Sequence, residues 1–175
     1  EDGFYPGGAA DPAQGFTPSF SGFIDGDTEK TAGLGGTATW GVGGPTSSAG
    51  YPTVGSHDVS YVSGFTSNLG YRFADNADNI DELTVTPRNL TASYTAADKV
   101  YDGTTAATVT GNSAGILKGD LVTFSQAAAF RDPNVGADKP VDVTAITLGG
   151  IDAGNYVLLN DTAAALAKAL VEVEE

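Results

Sequence analysis

Apolar residues along this chain come in short runs separated by turn-forming residues, not at helical spacing. In "VTFSQ", Val122, Phe124 and Gln126 fall on one side of an extended chain, and Thr123 and Ser125 on the other. Successive side chains of a strand point to opposite faces, so the run predicts a half-buried strand. "PVDVTAITL" sets Val141, Val143 and Ala145 together until the parity shifts at Ile146, which predicts a β-bulge. By the same reading, the second half carries strands at "LTASYTA", "KVYDG", "AATVTG", "LVTFSQAAAF", "KPVDVTAITL" and "NYVLLN". The first half carries them at "TPSFSGF", "TATWG", "HDVSYVSG", "YRFAD" and "DELTVT". The tail "DTAAALAKALVEVEE" is ambiguous by itself. Ala and Leu favour helix and Leu166 and Leu170 are four apart, whereas Val171 and Val173 alternate with Glu172 and Glu174 as in a strand.

Four landmarks occur twice in the same order. "YPGG" from Tyr5 answers "YDGT" from Tyr101, and "SGFIDGD" (21–27) answers "AGILKGD" (114–120). "VGSHDVSYVSG" from Val54 answers "VGADKPVDVTA" from Val135, and "SNLGYRF" ending at Phe73 answers "DAGNYVL" ending at Leu158. The offset is 96 at the first Tyr, 93 at Gly-Asp, 81 at Val-Gly and 85 at the second Tyr, so the first copy has a longer middle. Ordered recurrence of this kind marks an internal duplication. It predicts two modules, 1–87 and 88–175, with a seam near Pro87, and it assigns the tail to a strand because "DELTVT" holds the matching place. In both Gly-Asp phrases the Gly is expected to supply a positive φ and the Asp to cap the turn.

Six or seven short strands with frequent turn signals, as in the second module, suit an all-β fold of two tandem Ig-like β-sandwich modules in an elongated arrangement. "IDAGNY" favours the sandwich, since it resembles a tyrosine corner, in which a Tyr hydroxyl ties down the entrance to a strand. The alternative is a β-grasp module in which "GDTEKTAGL" forms a short helix. The second module has "NLTASYTAADK" ahead of its Tyr-Asp-Gly and the first has only "EDGF" ahead of Tyr5, so the first is expected to lack its opening strand. An uncovered strand edge invites pairing with another chain.

Composition narrows the chemistry. Twenty-two acidic residues against 8 basic give a net charge of −14, which repels polyanions and argues against nucleic acid and anionic lipid as partners. Cys and Met are both absent, which removes disulfides, thiolate metal sites and cysteine nucleophiles. No run reaches membrane-spanning length. No basic, apolar leader opens the sequence, and any secretion signal is expected to have been removed.

Candidate sites are few. The acidic cluster of Asp75, Asp78, Asp81 and Glu82 in "ADNADNIDE" offers hard oxygen ligands for Ca²⁺, although the spacing is not that of an EF-hand and a solvated turn accounts for the same residues. Trp40, Tyr51 and Tyr61, with Phe65, are the candidate ligand-binding aromatics, for stacking on sugar; core packing is the alternative. "PTSSAGYPT" (45–53) reads as a polar contact loop. His57, the single histidine, is expected to be an exposed strand residue, with Asp58 on the opposite face. No catalytic constellation and no cofactor motif is present, so no enzyme activity is expected. A Lys–Asn cross-link would need Lys99 or Lys139 beside a strand asparagine.

"KVYDGTT", "GILKGD", "NVGADKPVDV" and "IDAGNYVL" together resemble the YDG-type repeat of large bacterial surface proteins. Residues 1–87 resemble the related MBG repeat through "YPGG", "FSGFIDGD" and "LTVTPR". The resemblance implies an extracellular, cell-surface or secreted protein of the filamentous-haemagglutinin-like adhesin kind. The role it implies is structural or adhesive and non-catalytic, with host or matrix glycan or protein, or further copies of the chain arranged head to tail, as partners. Apart from the resemblance, the missing strand of the first module leaves two alternatives: a fragment of a longer array that folds alone, or a fibre subunit assembled head to tail by strand donation.

Overall fold

The computed structural model describes residues 3–4, 18–75, 81–159 and 165–173, with backbone alone at 3, 4, 81, 165 and 166. These residues are all-β and fall into two compact units: 1–46 with 50–86, and 47–49 with 87–175.

The first unit contains β1 (Gly3–Phe4), β2 (Leu34–Val42), β3 (Gly55–Ser67) and β4 (Asp81–Thr86), in one sheet of order β1-β4-β3-β2. Along β3 the buried or half-buried residues are His57, Val59, Tyr61, Phe65 and Ser67, with exposed residues between them, the alternation of a one-sided sheet. The second unit contains β5 (Arg88–Leu90), β6 (Ser93–Ala96), β7 (Lys99–Val100), β8 (Val109–Asn112), β9 (Thr123–Phe130), β10 (Gly136–Gly149), β11 (Tyr156–Leu158) and β12 (Ala165–Glu172). Its main sheet, β7-β12-β10-β9, repeats the first strand for strand. β7 runs parallel to β12 as β1 does to β4. β12 is antiparallel to β10 as β4 is to β3, and β10 to β9 as β3 is to β2. The tail is therefore a strand, in the place that "DELTVT" (β4) holds in the first sheet.

The second unit adds an antiparallel β6–β8 ribbon and a parallel β5–β11 pair. Its core joins Ala96 of the ribbon to Phe130, Val141, Ala167, Ala169 and Val171 of the main sheet, with Tyr94 and Val109 packed on the edge of the cluster. Among the described residues of the first unit no such ribbon occurs, and the buried apolar residues are Ala32, Val59 and Val85. Half-buried aromatics make up the rest. Tyr61 stacks on Phe65 at 5.1 Å and 12°, and Trp40, Phe20 and Phe73 meet Phe65 at 5.0 to 6.4 Å.

Three expectations change. The described parts of "TPSFSGF" and "YRFAD" are not strands. Pro18 lacks a donor for a ladder, Gly22 turns the chain at φ 84, and the Ile24 N–H bonds the Tyr71 hydroxyl instead of a neighbouring strand. "GDTEKTAGL" forms hydrogen-bonded turns, so the short helix of the β-grasp alternative is not formed. The β10 bulge lies where expected, between Thr144 and Thr147 around Ile146, but Ala145, expected on the face of Val141 and Val143, is exposed at φ 51 while Ile146 is buried. With the 81-residue offset, Ala145 corresponds to Gly64 in β3, also at positive φ (113). A Cβ on Gly64 would lie 1.9 Å from the Thr37 carbonyl oxygen, so only glycine fits there.

Candidate functional site

Both Gly-Asp phrases close the same corner. In the first unit Asp27 N–H donates to Ile24 O at 3.0 Å, and in the second Asp120 N–H donates to Leu117 O at 3.1 Å. Gly26 (φ 77) and Gly119 (φ 101) both supply the positive φ that the turn needs. The turns differ in one respect. Asp25 also has a positive φ, 54, which a short polar side chain tolerates, whereas Lys118 at the matching position does not.

A tyrosine from the distant landmark then locks each turn. Tyr71 OH donates to Asp27 Oδ2 at 2.8 Å and accepts the Ile24 N–H at 3.2 Å. Tyr156 OH donates to Asp120 Oδ2 at 2.6 Å and accepts the Leu117 N–H at 3.1 Å. The second carboxylate oxygen takes a hydroxyl in each case, from Thr31 at 3.3 Å and from Ser47 at 2.7 Å. Burial, then the Asp120 carboxylate, push the Tyr156 phenol well above its ordinary range. Around Tyr71, the Ile24 N–H favours the phenolate, but desolvation and Asp27 outweigh it and the phenol is again raised. Both phenols act as neutral donors, which suits a structural tie.

Other polar residues hold loops in the same way. Asp152 is buried, and its carboxylate accepts Leu121 N–H at 2.7 Å and Ser48 N–H at 3.0 Å. Burial pushes that carboxyl up, but the two backbone donors outweigh it and hold it below the usual range. In "KVYDGTT", Asp102 Oδ1 accepts from Thr104 N–H (2.9 Å) and Thr104 Oγ1 (2.8 Å) and lies 2.7 Å from Lys99 Nζ. Lys99 and then Thr104 draw the Asp102 carboxyl down to about 2. Lys99 Nζ also reaches Thr104 O and Ala106 O at 3.1 and 3.0 Å, above the Phe130 ring. Lys99 and Lys139 thus bond Asp102 and Asp132, not the strand asparagine that a cross-link would need.

His57 is a correction. It is 2% exposed, not a surface residue, although Asp58 does lie on the opposite, exposed face. Its two ring nitrogens sit 2.7 Å from the carbonyl oxygens of Gly43 and Thr53, at the two ends of the loop between β2 and β3. A carbonyl oxygen only accepts, so a neutral ring, with its single N–H, donates to one of the two.

The aromatic candidates divide. Trp40 and Tyr61 are cross-strand partners with ring centroids 6.1 Å apart, while Tyr51 lies in the loop between β2 and β3. Of the acidic cluster, Asp75 Oδ2 accepts the Tyr61 N–H at 2.9 Å, and Glu82 is exposed in β4 opposite Asp58. Asp78 and the Asp81 side chain lie outside the described residues. Among the described residues no group of three or more His, Asp or Glu is placed to hold a metal ion. Also among them, no helix is long and apolar enough to cross a membrane.

The class that this architecture defines is an all-β protein whose polar side chains brace turns. Residues 86–165 match the family model of the YDG domain, so a YDG-type domain occupies that part of the chain. The match spans β5 to β11 and reaches the first residue of β12. No curated protein and no solved structure matches the chain.

Proposed function

We propose that this chain is a non-catalytic structural or adhesive segment of a bacterial extracellular surface protein, built of an MBG-like module followed by a YDG-type module. The observation that carries the proposal is the closure of each main sheet by a parallel pair of distant strands, β1 with β4 and β7 with β12. Tension applied to the opposite ends of two parallel strands loads their hydrogen bonds together in shear, instead of opening them one by one. The Tyr–Asp corners and the Lys99–Asp102–Thr104 tie add braces of the kind a stressed module requires. An Ig-like sandwich is the arrangement we propose for the modules, set in series.

Nucleic acid is not the partner we propose. Residues 87–175 carry 6 basic and 11 acidic residues. Lys99, Arg131 and Lys139 are paired to aspartates, and Arg88 Nε bonds Gly115 O. The test is to stretch the full chain from its two ends by single-molecule force spectroscopy. Two separate unfolding events are expected, each releasing roughly 30 nm at about 0.35 nm per residue. A chain that extends without resistance would end the structural reading.

A second reading, a fibre subunit completed by a strand from another copy, draws on one observation: the β6–β8 ribbon covering the second unit's core has no counterpart among the described residues of the first. Sedimentation at rising concentration tests it. Association into long species is expected if strands are exchanged, and a monomer at millimolar concentration discards it.

A further inference from the structure

We propose that a cleft between β8 and β9 of the second unit binds a neutral saccharide. The cleft is open to solvent and has a volume of about 370 Å³, inside the size range of small-ligand sites. Ile116, Val122 and Phe124 form an apolar wall, and Thr110, Asn112 and Thr123 set hydroxyl and amide groups at an exposed rim. None of the lining residues is charged, so a charged ligand would be desolvated here without compensation. A sugar ring matches the wall with its C–H face and the rim with its hydroxyls.

Gln126 supplies the directional element. Its Nε2 donates to Val109 O at 3.3 Å, which fixes the orientation of the amide. Its Oε1 is then buried with no hydrogen-bond partner among the described residues, an acceptor left for an O–H donor. Tyr94, whose ring meets Phe124 edge-on at 6.4 Å, also carries a buried hydroxyl without a partner there. Gly111 keeps this region open to close packing: a Cβ on it would lie 2.8 Å from Tyr94 Cε1 and 3.0 Å from Phe124 Cβ. A mid-sized uncharged cleft lined in part by Gln126, whose amide oxygen is left unsatisfied, thus specifies hydroxyl-bearing, uncharged ligands.

The test is titration of the full ¹⁵N-labelled chain with maltose, lactose and N,N′-diacetylchitobiose, each to tens of millimolar. At least one is expected to shift the amides of 109–112 and 122–126 and the Gln126 side-chain amide, saturably. Thr110→Trp, at the exposed rim, is expected to abolish these shifts while the rest of the spectrum is unchanged. Gln126→Met is expected to weaken binding at least tenfold. If that variant fails to fold, Thr110→Trp still decides. No shifts with any of the three sugars, or shifts that persist in Thr110→Trp, would overturn the site and leave a cleft that holds water only. The proposal does not rest on the structural reading above, which a negative result here would leave standing.

Discussion

The two units solve one problem with different materials. Both have the same four-stranded order and the same Tyr–Asp corner, yet one is filled by Val and Ala side chains around the single buried ring of Phe130, under a ribbon, and the other by half-exposed aromatic rings. Val141 and Val143 are fully buried in the second unit, whereas Trp40, Tyr61 and Phe65 in the first retain partial exposure. Large rings bury much area each, so a few of them replace a layer of Val and Ala. The comparison teaches that backbone plan and core chemistry are separable here. The turn residues specify the plan, and the apolar residues need only cover the sheet.

The bulge position breaks the equivalence most sharply. Gly64→Ala must displace the Thr37 carbonyl and hold an L-residue at φ 113, and is expected to cost about 3 kcal/mol. The fluorescence of Trp40, the only tryptophan, reports it in a denaturant titration. The corner is next. Tyr156→Phe removes the bridge between the half-buried Asp120 carboxylate and the Leu117 N–H and is expected to cost about 2 kcal/mol by hydrogen exchange at Leu117 and Leu121. Tyr71→Phe should act in the same direction and less, because its corner is more exposed; an equal loss would mean that burial does not set the strength of the brace.

Ala145→Gly has the opposite sign. Relief of the left-handed conformation, about 1–2 kcal/mol, exceeds the added entropy of glycine, about 0.5–1, for a net gain of about 0.5 kcal/mol in thermal unfolding. The smallest effect is the acid end of the Lys99–Asp102 tie. A carboxyl held at about 2 when folded, against 3.8 for the free group, favours folding above pH 3.8, and that contribution is lost as pH falls through about 2. The Thr104 amide resonance should titrate in that window, and a midpoint near 4 would mean that the tie is not formed in solution.

What the sequence disclosed follows from where the information lies. The Gly-Asp turns were legible because the phrase occurs twice in order, and the strand parity of β9 was legible because one face is buried. That a distant Tyr hydroxyl closes each turn onto its Asp was not, because the two lie 36 to 44 residues apart. The tail needed its twin, since Ala and Leu alone point to helix. "TPSFSGF" and "YRFAD" misled because aromatic runs look like strands even when their rings, not their backbones, do the work. His57 was misread because its partners are the carbonyls of Gly43 and Thr53, and a carbonyl belongs to every residue alike. The tie from Asp152 to Leu121 and Ser48 was missed for the same reason.

The glycine at the β3 bulge makes any exchange of matching strands between the two units lopsided. Moving the β3 segment into the place of β10 carries a glycine to a site where alanine already fits. Moving the β10 segment into the place of β3 brings a methyl group against the Thr37 carbonyl. Passage is open in one direction and closed in the other by a single carbon atom.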